Sequence, residues 1–136
     1  MTDIWDLRRK RKKFYDSIVS VYCPILTETV FFTSEGFNHL IYKRGRKPRN
    51  VNEQFMKLKC LIYAPDVIKN SPLINDTRRI KKVKKGKVKD AVQYELLYEV
   101  QAGKKVGIIV EKIGLGKTKF VSIMRYGKWR KSKKRP

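Results

Sequence analysis

The first part of the chain places apolar side chains at helical spacing. The stripe recurs at intervals of seven, four and three residues, at Leu7, Phe14, Ile18 and Val21. Because residues three, four and seven apart share one face of a helix, this pattern predicts a basic amphipathic helix over residues 1–22. Pro24 is expected to end it, since proline disfavours helical backbone in the residue before it.

A short strand and a second helix are predicted next. "TVFFT" at residues 29–33 has the β-branched and aromatic content of a strand. Thr33 or Ser34 can then cap a helix that carries Glu35 in its first turn, where the helix dipole favours a carboxylate. This helix is expected to continue to about residue 44, where the basic loop "RGRKPR" begins.

A third helix is predicted after that loop. Its apolar stripe consists of Val51, Phe55, Leu58 and Ile62. Their spacing of four, three and four indicates a helix that Pro65 ends, because proline breaks a helix interior. The following "NSPLINDT" is expected to form an irregular connection.

From residue 78 onward the apolar period changes to two. The residues of the buried face are predicted to be Val92, Tyr94, Leu96, Tyr98 and Val100. Gly86, Gly103 and the "GLG" of residues 114–116 separate apolar runs by short connections, as in antiparallel hairpins. The predicted fold class is therefore α+β, with N-terminal helices packed on a C-terminal antiparallel meander of about four strands.

Composition adds a large excess of positive charge. The 136 residues include 34 Lys and Arg against 12 Asp and Glu, a formal charge of +22. With 41% hydrophobic residues the chain is expected to fold, most economically as one domain over residues 1–126 followed by a basic tail at 127–136. Such charge indicates a polyanionic partner, with nucleic acid favoured over an anionic membrane.

The sequence also limits the cellular setting and the cofactors. No apolar stretch of twenty residues is present, and "MTDIWDLRRKRKK" lacks the apolar segment of a signal peptide. A cytoplasmic protein without a membrane partner is therefore expected. Cys23 and Cys60 lack CxxC or Cys/His spacing, so they are predicted to be reduced and to bind no metal, and no cofactor is expected.

Basic residues are concentrated in three regions. All six residues of 8–13 and eight of the twelve residues of 78–89 are Lys or Arg, and no acid follows Glu111. Charge runs are often only solvated surface, yet their recurrence favours contact with nucleic acid. Tyr126 and Trp129 lie among the C-terminal cations, either as stacking platforms for unpaired bases or within a disordered solubilising tail.

The "GLGKT" of residues 114–118 resembles the end of a phosphate-binding P-loop. Glu111 stands where that motif requires its first glycine, and "KFVSIM" has the pattern of a strand rather than of a helix. A hairpin turn is therefore predicted here.

His39 is the only histidine of the chain. One side of its helix, the core side, is expected to carry Phe37, Leu40, Ile41 and Arg44. The other side carries His39 with Glu35, Tyr42, Lys43 and Arg46. His39 is thus predicted to face away from the core, either as an idle surface group or as part of a polar site.

Five segments suggest a family. They are "YCPIL", "VFFTSEGFNHLIYK", "LKCLIYAPDVIKNS", "NDTRR" and "VGIIVEKIGLGKTKFVSIM". Together, within residues 22–126, they resemble the mobile-element and phage-borne nucleases of the barnase, EndoU, colicin and RelE superfamily. The resemblance implies a metal-independent endoribonuclease, often a toxin, with an inhibitor or antitoxin protein as a possible partner. Carried over by position, the catalytic residues are His39, Arg78 and Ser122, with Asp76 and Thr33 as weaker candidates. Arg79 is the alternative to Arg78, because the register of the strand decides which of the two faces the site.

These residue types suit RNA cleavage through the ribose 2′-hydroxyl. The reaction needs proton transfer, which an imidazole can perform near neutral pH, and cations that stabilise charge on the phosphate oxygens. The residues predicted to bind RNA are Lys43, Arg44, Arg46, Arg49, Arg79, Lys81, Lys112, Arg125, Trp129 and Arg130. Two alternatives stay open, a non-catalytic RNA-binding module of a ribosome or ribonucleoprotein and a DNA-binding protein.

Overall fold

The chain runs from a helical N-terminal half into four long strands. The computed structural model describes residues 3–43 and 46–127. The elements are α1 (Ile4–Ile18), β1 (Ser20–Cys23), β2 (Glu28–Phe31), α2 (Ser34–Ile41), α3 (Val51–Cys60), α4 (Ala64–Asn70), β3 (Ile74–Lys84), β4 (Lys87–Gln101), β5 (Lys104–Ile113) and β6 (Thr118–Gly127). A short 3-10 helix, Leu61–Tyr63, joins α3 to α4. The predicted α+β class is confirmed.

The strands form one curled sheet in the order β1-β2-β6-β5-β4-β3. Strands β3 to β6 are the predicted antiparallel meander, with turns at Gly86, at Gly103 and within residues 114–117. The estimate of about four strands was too low, because the β1–β2 hairpin extends the sheet beyond β6. Strands β2 and β6 run parallel and pair at only two positions, Val30 with Thr118 and Phe31 with Lys119.

The first helix is shorter than predicted. It ends at Ile18, and Val19 adopts a φ of 60° before the chain enters β1. Val21 therefore belongs to a strand and pairs with Val30 of β2, although its spacing also fits the helical stripe. The helical prediction for residues 19–22 was wrong because Val21 and Tyr22 favour extended backbone, which pairing with β2 then stabilises.

Pro65 begins a helix instead of ending one. It occupies the first turn of α4, where proline is tolerated because its missing N–H has no partner there in any helix. The segment around residue 70 is consequently helical up to Asn70, and β3 already begins at Ile74. The irregular connection predicted for residues 70–77 therefore contains only three residues, 71–73.

The apolar stripe of α3 also differs from the buried face. Val51 and Ile62 are exposed, at 53% and 42% of their surface. The buried face instead contains Gln54, Lys57, Leu58 and Leu61, at the spacing of three, one and three that defines one side of a helix. Hydrophobicity thus predicted the helix correctly but its orientation incorrectly, because two polar residues point inward.

An aromatic cluster joins the helices to the sheet. Tyr15 of α1 makes edge-to-face contacts with Phe32, Phe37 and Phe120, and the two rings of Phe32 and Phe120 stack. The Tyr15 hydroxyl donates to the Thr33 carbonyl at 2.6 Å, so the residue that precedes α2 is tied to α1. The cluster fixes α2 against β6, which places His39 beside that strand.

Candidate functional site

Beyond Lys119, where its pairing with β2 ends, strand β6 has no strand partner on that edge among the described residues, and α2 lies beside the edge. The pairing of β6 with β5 contains a bulge: Ile109 pairs with Ser122 and Val110 with Phe120, which leaves Val121 as the extra residue. The carbonyl oxygen of Val121 is 3.2 Å from His39 Nδ1. Bulges re-aim side chains and carbonyls locally, and this one supplies a partner for the only imidazole of the chain.

A cleft opens between α2 and the strands. It consists of two adjoining depressions of about 630 and 800 Å³ that share Ser34, Glu35, His39, Lys82 and Val121. The smaller depression extends along Lys84, Glu111 and Lys119. The larger one extends along Tyr42, Lys43, Arg46, Arg49 and Ser122. We call these depressions together the His39 cleft.

The orientation predicted for α2 is confirmed. Phe37, Leu40 and Ile41 are buried, whereas His39 is half-buried and lines the cleft. A neutral imidazole that donates from Nδ1–H to Val121 O carries its lone pair on Nε2, which is then the nitrogen that can accept a proton. Backbone contact therefore selects one tautomer of the only histidine.

Ser122 lies in the same cleft, directly in front of a buried lysine. Lys57 Nζ donates to Ser122 Oγ at 3.2 Å and to the Ile123 carbonyl at 2.8 Å, and only 4% of Lys57 is exposed. Burial, together with the nearby positive charge of Arg49, lowers the pKa of Lys57 from 10.5 to about 8. The serine hydroxyl is thus held by a cation that lies behind it.

Several of the cations predicted to bind RNA line the cleft, but they differ in exposure and in whether they already form hydrogen bonds or ion pairs. Lys43 and Arg46 line it and are exposed, and Arg46 has a φ of 60° in the loop after α2. Arg49 also lines it, but its Nε donates to the His39 carbonyl at 2.8 Å and its guanidinium pairs with Glu53 at 2.9 Å. Arg49 therefore anchors the end of α2 as well as adding charge.

Arg78 does not line the His39 cleft. It lies on the edge strand β3, 69% of its side chain is exposed, and its guanidinium is 3.7 Å from Asp76. Lys82, four residues further along the same side of β3, lines both depressions instead. The curl of the sheet brings the far end of β3 toward α2, a feature that the sequence does not reveal.

The other predicted cations lie elsewhere. Arg79 pairs with Val92 on the opposite side of β3 from Arg78, and Lys81 forms an ion pair with Asp90. Lys112 pairs with Glu28 at 3.1 Å, and Arg125 is exposed near the end of β6. Arg44, Trp129 and Arg130 lie outside the described residues. Thr33 lines the cleft, whereas Asp76 is exposed beside Arg78.

Two lysines of the site were missed from the sequence: Lys82, which lines the cleft, and Lys57, which is buried behind Ser122. The apolar stripe predicted for α3 does not include Lys57, and only its place one position before Leu58 could have suggested that it is buried. Lys82 was one lysine among many, and its role depends on the register of β3. It forms an ion pair with Glu111 at 3.1 Å, and Gln93 Nε2 donates to the same carboxylate at 2.7 Å.

Three further observations concern the described part of the chain only. Cys23 and Cys60 are free and buried, and these residues include no group of three or more His, Cys, Asp or Glu side chains that could hold a metal ion. None of the described helices has the length and apolar character needed to cross a membrane. Comparisons of the chain with family models, with curated proteins and with solved structures found no match.

Proposed function

We propose that the protein is a metal-independent endoribonuclease that cleaves RNA in the His39 cleft. The observation that carries the proposal is that His39 and Ser122, which are 83 positions apart in the sequence, line one cleft together with exposed cations. This combination provides a proton-transfer group, a hydroxyl donor and positive charge at one place. The resemblance to the barnase, EndoU, colicin and RelE superfamily supports the same activity and adds the proposal of a toxin restrained by an inhibitor protein.

The proposed reaction begins with proton transfer to His39 Nε2. As the ribose 2′-hydroxyl loses its proton, the 2′-oxygen attacks the adjacent phosphorus and the bond from phosphorus to the 5′-oxygen breaks. The imidazolium can return a proton to the departing 5′-oxygen. The products are a 2′,3′-cyclic phosphate and a 5′-hydroxyl, so no co-reactant is required.

Ser122 and the cations act on the phosphate. A hydroxyl held by Lys57 can donate to a non-bridging oxygen, where charge accumulates in the transition state. Lys43, Arg46 and Lys82 contribute positive charge around the same position. Lys57 itself is a positioning residue, because its ammonium reaches Ser122 and not the open cleft.

The experiment is cleavage of a fluorescent oligoribonucleotide by wild type and by His39→Ala. We expect His39→Ala to lower the cleavage rate by roughly 10²- to 10⁴-fold, the usual contribution of general acid or base catalysis, with RNA affinity changed less than about threefold. The fragments should end in 2′,3′-cyclic phosphate. A substrate with a 2′-deoxy sugar at the cleavage site should resist, and a chelator should leave the rate unchanged.

The matched control is Asn38→Ala, which changes the neighbouring cleft residue on the same helix without removing an acid or base. It should retain most of the activity. If purified wild type binds RNA but cleaves neither free RNA, tRNA nor ribosome-bound message, the enzyme hypothesis is wrong and a basic RNA-binding module replaces it. Preferential binding to DNA would favour the third alternative.

A further inference from the structure

The β3–β4 hairpin projects beyond the rest of the sheet. The last pair between β4 and β5 joins Ala91 to Ile113, whereas β3 and β4 continue to pair as far as Lys84 and Lys87. Four residues of each strand therefore extend as a two-stranded ribbon, about 14 Å long at about 3.4 Å per residue. Residues 81–90, which form this ribbon and its turn, contain six lysines and one acid, Asp90.

The two faces of the ribbon differ in charge. On one face Lys82 is paired with Lys89, and Lys84 with Lys87, so that four lysines form two directly opposed pairs. We call this the lysine face. The opposite face carries Lys81 across from Asp90, which form an ion pair, and Val83 across from Val88. Arg79 lies on that opposite face as well, at the base of the ribbon.

Directly opposed like charges destabilise an antiparallel pair, whereas opposite charges stabilise it. The opposite face contains a stabilising pair, Lys81 with Asp90, whereas the lysine face contains two destabilising pairs of opposed lysines. Of the four lysines only Lys82 forms an ion pair with a described carboxylate, Glu111, at the base of the ribbon. A line of anions along the lysine face would remove this repulsion.

The lysine face is continuous with the His39 cleft. Lys82 and Lys84 both line the smaller depression, so the face begins inside the cleft and leads away from it toward the turn at Gly86. A polyanion seated in the cleft would therefore continue along the lysines. Lys85 and Gly86, with φ of 52° and 75°, close the ribbon in a tight two-residue turn that keeps its two strands in register.

We propose that the lysine face of the β3–β4 ribbon binds the phosphates of the RNA strand as it leaves the His39 cleft. The choice of RNA rests on the proposed function, whereas the choice of a phosphate backbone rests on the charge and continuity of the ribbon. The sequence favoured nucleic-acid contact for the whole basic run of residues 78–89, but the residues it named there, Arg79 and Lys81, lie on the other face. The ribbon fixes the path of the strand outside the cleft, and the cleft residues act on the bond within it.

The experiment uses the full chain and a 20-nucleotide 2′-O-methyl oligouridylate, which lacks the attacking hydroxyl and so reports binding alone. The test variant is Lys84→Gln/Lys87→Gln. Because each phosphate contact contributes about 0.7 to the slope of log affinity against log salt for a single strand, the slope should fall by about 1.4. At about 0.1 M salt this corresponds to a 10- to 30-fold loss of affinity.

The matched control is Arg79→Gln/Lys81→Gln, which removes the same charge from the opposite face. Its slope should fall by less than about 0.5. Both variants should stay folded, with thermal midpoints within a few degrees of wild type, because the changed side chains are exposed. Equal losses for the two variants would show that only net charge matters and would overturn the proposal. So would no loss for the test variant, or tighter binding of duplex DNA with the same dependence on Lys84 and Lys87.

The outcome is independent of cleavage. If wild type cleaves no RNA while Lys84→Gln/Lys87→Gln weakens binding as expected, the enzyme hypothesis fails and the ribbon proposal stands. If cleavage depends on His39 but Lys84→Gln/Lys87→Gln and Arg79→Gln/Lys81→Gln bind RNA with equal affinity, the enzyme hypothesis stands and the ribbon proposal fails.

Discussion

Replacing Lys57 by methionine should change how stability depends on pH. Lys57→Met keeps most of the buried volume and removes the ammonium that faces Ser122 and the Ile123 carbonyl. The pKa of Lys57 is about 8 in the folded protein against 10.5 for an ordinary lysine. Since one pKa unit is worth about 1.4 kcal/mol, holding this lysine protonated in the folded chain costs roughly 3 kcal/mol.

The sign of the pH effect follows from proton binding. Below about pH 8 both the folded and the unfolded chain bind the proton at Lys57, so the residue contributes no slope. Between about pH 8 and 10.5 the unfolded chain keeps a proton that the folded chain has released, and stability therefore rises with pH. Wild type should gain about 2 to 3 kcal/mol relative to Lys57→Met between about pH 7 and 10.

Urea unfolding of both proteins at several pH values, in the presence of a reductant for the two free cysteines, measures this difference directly. Lys59→Met is the control, because Lys59 lies on the same helix but is exposed, and its profile should run parallel to that of wild type. At any single pH the difference in stability between wild type and Lys57→Met depends on two opposing effects. Removing the buried ammonium stabilises the folded chain, whereas leaving the Ile123 carbonyl without its donor destabilises it. Parallel profiles for wild type and Lys57→Met would refute the burial argument.

Two further predictions concern packing and a tyrosine. Gly36→Ala should destabilise the protein by roughly 2 to 4 kcal/mol, because the new Cβ would lie 2.7 Å from the Phe120 carbonyl oxygen and against the Tyr15 hydroxyl; a thermal midpoint unchanged from wild type would contradict this. Tyr126 donates to Glu95 at 2.5 Å, and this bond together with burial raises the pKa of Tyr126 to about 12. Glu95→Gln should lower that pKa toward the ordinary value, as NMR of ring-labelled tyrosine would show, with Tyr126→Phe assigning the signal.

Periodicity predicted most of the elements because their apolar residues report burial on one face. The alternating residues of β4 and the glycine turns specified the meander, and the side of α2 that carries His39 followed from Phe37 and its neighbours. Where polar residues were buried, the same reasoning failed. The aliphatic part of the Lys57 side chain packs among apolar residues, and its ammonium donates to a hydroxyl and a carbonyl. A pattern of hydrophobic residues cannot predict such a buried lysine.

Local structure could place only one residue of the candidate site, His39, whose helix face follows from Phe37, Leu40 and Ile41. Ser122 was a candidate through the family resemblance alone, and it lines the cleft beside a bulge that the sequence does not predict. Arg78 was also a candidate through the family resemblance, whereas the residue that reaches the cleft from β3 is Lys82. That difference depends on strand order and sheet curl, which are set by long-range pairing rather than by spacing.

The position of β3 at the border of the sheet has a consequence for solubility. A border strand of eleven residues presents unpaired backbone groups that can template pairing with another molecule, the first step of edge-to-edge aggregation. Natural proteins guard such strands with charged side chains, lysine above all, and β3 carries five cations among its last seven residues. Substitutions that make this strand apolar would therefore lower the concentration at which the protein stays monodisperse, well before they altered its fold.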